Sequence, residues 1–279
     1  MPTITTPDWS IDYVEAGQGP TVLLLHSSVS GNRQWRALMT ALSDRYHVIA
    51  PNLIGYGQTG PWPGNRPQTL ADQSALIRPF LDRHDGPATL IGHSFGATIA
   101  LRVALDHPEQ VTRLVLLEPN LSQLFRHDRR AAAFREAYQI RDLVKDHGSR
   151  GEWEHVAAVF ADYWNGDGTW AAMPLDRRAT FAAALSPNYH EWDAVLGDTS
   201  LGEGVLRITA ETLVVWARDT KRPMIEAVEA LRDRVPGWHY VELAEGGHMF
   251  PLTRPDLINP LVQSFLDGKA DVSREEVRP

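Results

Sequence analysis

Short apolar runs alternate with longer amphipathic stretches along most of this sequence. Six of the runs are almost continuously apolar, as strands buried on both faces of a sheet should be. In chain order they are residues 21–26, 47–51, 88–93, 111–118, 212–217 and 239–244. Because strands separated by helical patterns are usually joined by helical crossovers, the sequence predicts an α/β fold. We expect a mostly parallel sheet flanked by helices.

The alternation stops between Leu121 and about Val205. Residues 128–147 and 152–164, within this stretch, have the periodicity of amphipathic helices instead. We therefore predict an α/β core formed by residues 1–120 and 206–279, with residues 121–205 inserted as a helical cap. The insert contains 11 of the 24 aromatic residues. An aromatic cap that closes over a cleft favours a partly apolar substrate.

Composition argues against several classes of protein. The chain has no cysteine, which excludes thiol chemistry, disulfides and Cys-based metal sites. A formal net charge of -8 argues against a nucleic-acid partner, because duplex binding requires a basic face. No apolar run approaches the roughly 20 residues that span a bilayer, and the first residues lack the pattern of a signal peptide. We expect a cytoplasmic protein that binds a small-molecule substrate, with neither nucleic acid nor membrane as partner. The oligomeric state stays open.

The sequence GHSFG places Ser94 between Gly92 and Gly96, where an apolar run gives way to a helical pattern. A strand that turns sharply into a helix strains the central residue, and Cβ atoms on its neighbours would clash. The start of the following helix would also favour negative charge near the hydroxyl. We interpret Ser94 as a nucleophile. The alternative, a helix-capping serine, does not require glycine on both sides.

His248 follows two glycines after the last apolar run. A glycine hairpin there would carry the imidazole to the C-terminal edge of the sheet, where active sites of open α/β sheets lie. A neutral imidazole at that edge can take a proton from a serine and return it to a leaving group. Such a base requires a third residue that holds it in one tautomer.

These features occur together with the earlier segment LLLHSSVSGNRQW and the later segment AEGGHMFPLTRP. Over almost the whole chain they resemble the α/β-hydrolase superfamily. The resemblance implies a cofactor-free and metal-free site with Ser94 as nucleophile and His248 as general base. A serine nucleophile distinguishes the chain from the epoxide hydrolase and haloalkane dehalogenase branches, which use aspartate. The resemblance also implies an oxyanion hole formed by the N–H groups of Phe95 and Ser28. Where relatives read His-Gly in the second of these loops, this chain reads His26-Ser27.

Two residues are candidates for the acid. Asp219 lies just after the run 212–217, the usual place in the family, but one residue earlier than the common Trp-Gly-x-x-Asp pattern. Glu118 ends the run 111–118, where a minority of relatives place the acid. A buried carboxylate there needs a partner, and an imidazole that becomes cationic during turnover supplies one. The alternatives are a solvated Asp219 among basic residues and a capping or ion-paired Glu118. We favour Glu118 and keep Asp219 open.

These inferences predict a serine hydrolase that cleaves a small, partly apolar carboxylic ester through an acyl-enzyme. Other chemistries share the same parts: hydrolysis of a carbon-carbon bond, lactonase, amidase, and cofactor-free haloperoxidase or perhydrolase activity. Some relatives keep the fold and the triad but act as small-molecule receptors, which is the alternative outside enzymology.

Overall fold

The computed structural model describes residues 2–125 and 130–269. Its strands are β1 (Thr3–Thr5), β2 (Ser10–Ala16), β3 (Thr21–Leu25), β4 (His47–Pro51), β5 (Ala88–His93), β6 (Val111–Leu117), β7 (Glu211–Ala217) and β8 (His239–Leu243). They form one sheet in the order β1-β2-β4-β3-β5-β6-β7-β8. The pairs β1/β2 and β2/β4 are antiparallel, and the other pairs are parallel. The predicted fold class, a mostly parallel sheet flanked by helices, is confirmed.

The six predicted strands all occur, and their ends differ from the prediction by at most one residue. Strands β1 and β2 were missed by the sequence pattern. They lie at one side of the sheet. No residue of β1 is buried and β2 mixes buried with exposed residues, so neither produces a continuous apolar run.

Before β6 lie the helices α1 (Arg36–Leu42), α2 (Leu70–Leu81) and α3 (Phe95–Asp106). Between β6 and β7 lie α4 (Ala131–Gly148), α5 (Trp153–Asn165), α6 (Thr169–Ala172), α7 (Leu175–Ala183), α8 (Asn188–Gly197) and α9 (Ser200–Gly204). The last three are α10 (Arg222–Arg234), α11 (Phe250–Thr253) and α12 (Pro255–Leu266). Short 3-10 helices span Asn32–Trp35, Ser122–Phe125 and Val205–Arg207.

The segment between β6 and β7, hereafter the insert, is therefore helical where the structure describes it. The predicted boundaries 121–205 and 206–279 take in residues 126–129 and 270–279, which lie outside the described residues. The division into core and cap remains a prediction. No helix among the described residues has both the length and the apolar character needed to cross a membrane.

Apolar side chains cover both faces of the sheet because successive residues of a strand point to opposite sides. Leu23 and Leu25 belong to one cluster, which includes α2 and α3. Val22 and Leu24 belong to the other, which includes α1 and α12. A third cluster lies inside the insert and is built by residues of α4, α5 and α8, with Leu185. The insert thus has an apolar core of its own besides its contacts with the sheet.

The parallel strands bring six chain segments to one edge of the sheet. Residues that follow β3, β4, β5, β6, β7 and β8 all emerge at the carboxyl ends of those strands. In open α/β sheets, ligands bind at this edge. All the residues predicted to form the site lie there.

The turn from β5 into α3 is tight because the backbone of β3 runs beside it. A Cβ on Gly96 would overlap the carbonyl oxygens of Leu25 and His26, and a Cβ on Gly92 would overlap the backbone of Gly96 and Ala97. Neither glycine has a positive φ, so close approach, and not an unusual conformation, explains both positions.

The substitution Gly96→Ala should therefore destabilise the protein, because the backbone of β3 cannot move without disturbing the sheet. Overpacking of this kind costs roughly 1–3 kcal/mol, which corresponds to a fall in Tm of about 3–10 °C. Gly202→Ala in α9 is the matched control, since a Cβ there meets nothing within 4 Å. Thermal unfolding of both variants measures the effect, and equal Tm values would contradict the close approach.

Candidate active site

Ser94 lies where β5 ends and α3 begins. Its backbone has φ 53° and ψ −116°, a strained conformation for a residue with a side chain. The side chain is 7% exposed and borders a cavity. Its hydroxyl has no hydrogen-bond partner in the part of the chain that the structure describes. The Ser94 oxygen is therefore available to a molecule in the cavity.

Glu118 follows β6 directly and is fully buried. Its Oε2 accepts a hydrogen bond from His248 Nδ1 at 2.6 Å and another from the Thr220 hydroxyl at 2.7 Å. Its Oε1 accepts from the backbone N–H of Ala217 at 2.9 Å. Burial, together with the negative charge of Asp219, raises the pKa of this carboxyl to about 8, although the N–H of Ala217 and the hydroxyl of Thr220 act in the opposite direction. Both carboxylate oxygens have donors, which is the condition for keeping a charge in the interior.

Asp219, the other candidate for the acid, is exposed and contacts the chain differently. Its carboxylate accepts hydrogen bonds from the N–H groups of Gly246 and Gly247, at 3.2 and 2.8 Å. These glycines immediately precede His248. The structure therefore brings Glu118 to the imidazole, while Asp219 holds the turn that carries it.

The ring of His248 is buried and contacts two other rings. The indole of Trp164, from α5 of the insert, lies over it with ring centroids 4.2 Å apart, and the imidazole of His93 lies 4.9 Å away. With Glu118 ionised, Nδ1 donates to its carboxylate, so Nε2 carries the lone pair of the neutral imidazole. Burial lowers the pKa of His248. The resting imidazole is thus a neutral base.

His93 is a part of the site that sequence analysis missed. Its Nε2 donates to the backbone carbonyl of His248 at 2.8 Å, and its Nδ1 accepts from the side-chain amide of Gln34 at 3.1 Å. The Gln34 carbonyl oxygen in turn accepts from the N–H and the hydroxyl of Ser27, at 3.1 and 2.8 Å. Burial lowers the pKa of His93, as does the nearby His248, so it stays neutral. Its place directly before Ser94 was the available signal.

The loop after β3 contains Ser28, the second predicted oxyanion donor. The neighbouring N–H groups are occupied: that of Ser27 by Gln34, that of Val29 by the Tyr56 hydroxyl, and that of Ser30 by the Ser27 carbonyl. In contrast, the N–H of Ser28 and that of Phe95 have no acceptor among the residues that the structure includes. Two free N–H groups therefore lie where the sequence places the donors, one in the loop after β3 and one at the start of α3.

The serines of this loop bond to buried side chains from other parts of the chain. The Ser27 hydroxyl donates to Gln34, and the Ser28 hydroxyl donates to Glu191 in α8. Ser27 stands where relatives have glycine, yet the residue with a positive φ is Val29, at 66°. Both hydroxyls therefore have side-chain acceptors in the described structure.

A cavity of about 550 Å³ opens at this edge of the sheet, and Ser28, Ser94 and His248 are among its lining residues. The insert contributes an aromatic wall formed by Phe160, Trp164, Phe181 and Trp192. Arg33 and Arg177 also line the cavity, and no Asp or Glu among the described residues does. Within the described ranges, no group of three or more His, Asp or Glu side chains could hold a metal ion.

Comparison with known proteins agrees with this arrangement. Residues 22–261 match the family described as "Alpha/beta hydrolase family". The chain belongs to this family. The match confirms the predicted superfamily and the prediction that the chain is an α/β-hydrolase enzyme.

Individual relatives of this α/β hydrolase share less than a third of their residues with it. It is 29% identical to "Putative carbamate hydrolase RutD" of Klebsiella pneumoniae, over 92% of this chain and 94% of that protein. It is 26% identical to the "2-hydroxy-6-oxo-6-(2'-aminophenyl)hexa-2,4-dienoic acid hydrolase" of Metapseudomonas resinovorans, over 94% and 89% of the two chains. The crystal structure of a hydrolase from Pseudomonas aeruginosa superposes with a TM-score of 0.74 at 23% identity, covering 95% of this chain and 97% of that one. This last likeness concerns the fold.

The two candidate acids can be separated by their amides. Glu118→Gln should lower kcat roughly 10⁴-fold, because the imidazole loses the carboxylate that fixes its tautomer and stabilises its cation. Asp219→Asn should cost less than about tenfold, since an amide oxygen can still accept from the two glycine N–H groups. Steady-state kinetics of both purified variants measures this. A collapse in Asp219→Asn with Glu118→Gln near wild type would reverse the assignment.

The burial of His248 also predicts the pH dependence. The base is active when neutral, and burial lowers its pKa below the ordinary value of about 6.5. The acidic limb of kcat/KM should therefore have its midpoint below about pH 6.5, with activity lost as the pH falls through that midpoint. The measurement is a pH profile with a neutral ester. A midpoint at or above the ordinary value would contradict a desolvated imidazole.

Proposed function

We propose that this α/β hydrolase cleaves a small, partly apolar carboxylic ester through an acyl-enzyme, using Ser94, His248 and Glu118. The observation that carries the proposal is the hydrogen bond from His248 Nδ1 to the buried Glu118 carboxylate, 2.6 Å long, beside a serine whose hydroxyl is free. That pair leaves the basic Nε2 of His248 for the serine proton.

The chemistry proceeds in two balanced halves. Ser94 Oγ attacks the ester carbon while His248 Nε2 takes the serine proton, and the resulting oxyanion accepts hydrogen bonds from the N–H groups of Phe95 and Ser28. The imidazolium then gives its proton to the departing alcohol as the carbon-oxygen bond breaks. In the second half, His248 takes a proton from water as the water oxygen adds to the acyl carbon. The imidazolium then returns this proton to Ser94 Oγ as the carboxylic acid departs.

We further propose that the insert acts as the cap. Four of its aromatic rings line the cavity, and Trp164 packs on the catalytic imidazole. A cap in this position excludes water and provides an apolar surface for the acyl or alcohol part of the ester. The two arginines at the cavity, with no carboxylate among the described lining residues, favour neutral or anionic substrates over cationic ones.

The direct test uses short p-nitrophenyl esters and a fluorophosphonate probe. The wild-type protein should hydrolyse the esters and be labelled at Ser94, because the probe reacts with an activated serine. Ser94→Ala should not be labelled, and its kcat should fall roughly 10⁶-fold. Ser264→Ala, in α12 and outside the cavity lining, is the control and should behave as wild type. More than a tenth of wild-type turnover in Ser94→Ala, or no labelling of wild type, would refute the proposal.

A second candidate is the hydrolysis of a carbon-carbon bond. The likeness to the dienoic acid hydrolase of Metapseudomonas resinovorans favours it, and the two arginines of the cavity suit an acidic substrate. The discriminating assay gives the same enzyme a 2-hydroxy-6-oxohexa-2,4-dienoic acid beside the ester. If kcat/KM for the dienoic acid is the larger of the two, carbon-carbon cleavage replaces ester cleavage as the primary activity.

A further inference from the structure

Glu191 is a buried acid for which the proposed chemistry has no direct use. It lies in α8 of the insert and is 1% exposed. No lysine, arginine or histidine in the described part of the chain pairs with its carboxylate. Burial raises the pKa of this carboxyl, and three hydrogen bonds from neutral donors lower it. A charge kept in the interior without a cation is costly, so its position calls for a specific reason.

The three donors come from two different parts of the molecule. Asn188, one turn earlier in α8, donates to Oε2 at 2.7 Å. The Ser28 hydroxyl, in the loop after β3, also donates to Oε2, and the Tyr56 hydroxyl, in the loop after β4, donates to Oε1 at 2.8 Å. Glu191 therefore joins the insert to two loops of the core.

Tyr56 passes this connection on to the backbone. Its hydroxyl donates to Glu191 and accepts from the N–H of Val29 at 3.0 Å. Val29 has φ 66°, a conformation that β-branched residues rarely adopt. Such a conformation persists only where the surrounding structure holds it. Glu191 supplies one contact through the Ser28 hydroxyl and a second through Tyr56.

We propose that Glu191 is a positioning residue for the oxyanion hole: by holding Ser28 and Val29, it keeps the free N–H of Ser28 directed at the reacting carbonyl. The inference rests on the proposed acyl transfer. It also explains how a loop with serine where relatives have glycine can still present a donor. The site is then complete only when α8 of the insert is seated on the core.

The test compares Glu191→Gln with Asp198→Asn in the full-length protein. Both substitutions replace a buried acid of the insert that contacts the core, but Asp198 pairs with Arg102 of α3, at 3.2 Å, away from the cavity lining. Glu191→Gln removes the charge and turns these contacts into weaker neutral hydrogen bonds, and a hydroxyl that faces the amide N–H must accept where it previously donated. Loss of a whole oxyanion donor lowers kcat by about 10²–10³-fold, and a displaced donor should cost roughly 10–100-fold.

Three readouts separate positioning from a general structural effect. First, kcat for the ester should fall in Glu191→Gln while KM changes less than about threefold, because the donor acts on the transition state. Second, the Ki of a trifluoromethyl ketone, which forms an oxyanion on Ser94, should weaken by about the same factor as kcat/KM. Third, Asp198→Asn should keep kcat within about threefold of wild type even if its Tm falls.

Tyr56→Phe provides a milder variant should Glu191→Gln fold poorly. It leaves the carboxylate in place and removes the link to Val29, so kcat should fall about 3–10-fold with KM unchanged. A crystal structure of Glu191→Gln or Tyr56→Phe tests the geometry without any substrate, and Val29 should leave the left-handed region.

The inference is overturned if the catalytic loss in Glu191→Gln is no larger than in Asp198→Asn, if the loss lies in KM alone, or if Val29 keeps its conformation in both variants. Failure of the acyl-transfer proposal has a different signature. In that case wild type itself neither turns over the ester nor reacts with the fluorophosphonate, whereas the crystallographic readout still decides whether Glu191 holds the loop.

Discussion

The buried contact between the Glu118 carboxylate and the His248 imidazole is the interaction on which the geometry of the site depends. It joins the end of β6 to the loop after β8, and the intervening strand β7 supplies the Ala217 N–H that supports the carboxylate. A charge in this environment is stable only if its donors are fixed in place. The donors are fixed because β6, β7 and β8 are hydrogen-bonded in parallel register. The sheet register therefore fixes the site geometry. A shift of one residue between these strands would separate the Glu118 carboxylate from the His248 imidazole.

Much of this arrangement could be predicted from residues close in sequence. The central strands are buried on both faces, so continuous apolar runs identified β3 to β8, while the partly exposed β1 and β2 have no such signature. Ser94 was predicted as the nucleophile because a strand, two glycines and a helix coincide within a few residues. Glu118 was favoured on energetic grounds, since a carboxylate that ends an apolar strand needs a partner. The structure provides that partner, and it places Asp219 on the glycine turn.

The supporting contacts could not be predicted because they join distant parts of the chain without any periodic pattern. Gln34 and His93 are 59 positions apart, and Ser28 and Glu191 are 163 positions apart. Each contact depends on loop conformations, such as the positive φ of Val29, that follow from the assembled fold. The sequence shows a serine where relatives have glycine in the loop after β3, but it does not show which side chains hold that loop. Its partners become visible once α8 is packed on the core.

The position of Glu118 limits where the insert can be exchanged between related chains. Glu118 lies three residues before the predicted start of the insert, and the intervening Asn120 is tied to the nucleophile turn: its N–H bonds to the Ser94 carbonyl at 3.3 Å, and its own carbonyl accepts from Thr98 at 2.7 Å. A chimaera that exchanges inserts must therefore place its first crossover after Asn120. Under the proposed function, a crossover only a few residues earlier would exchange the acid and the residue that holds the nucleophile turn together with the cavity wall, whereas a crossover after Asn120 would change the wall alone.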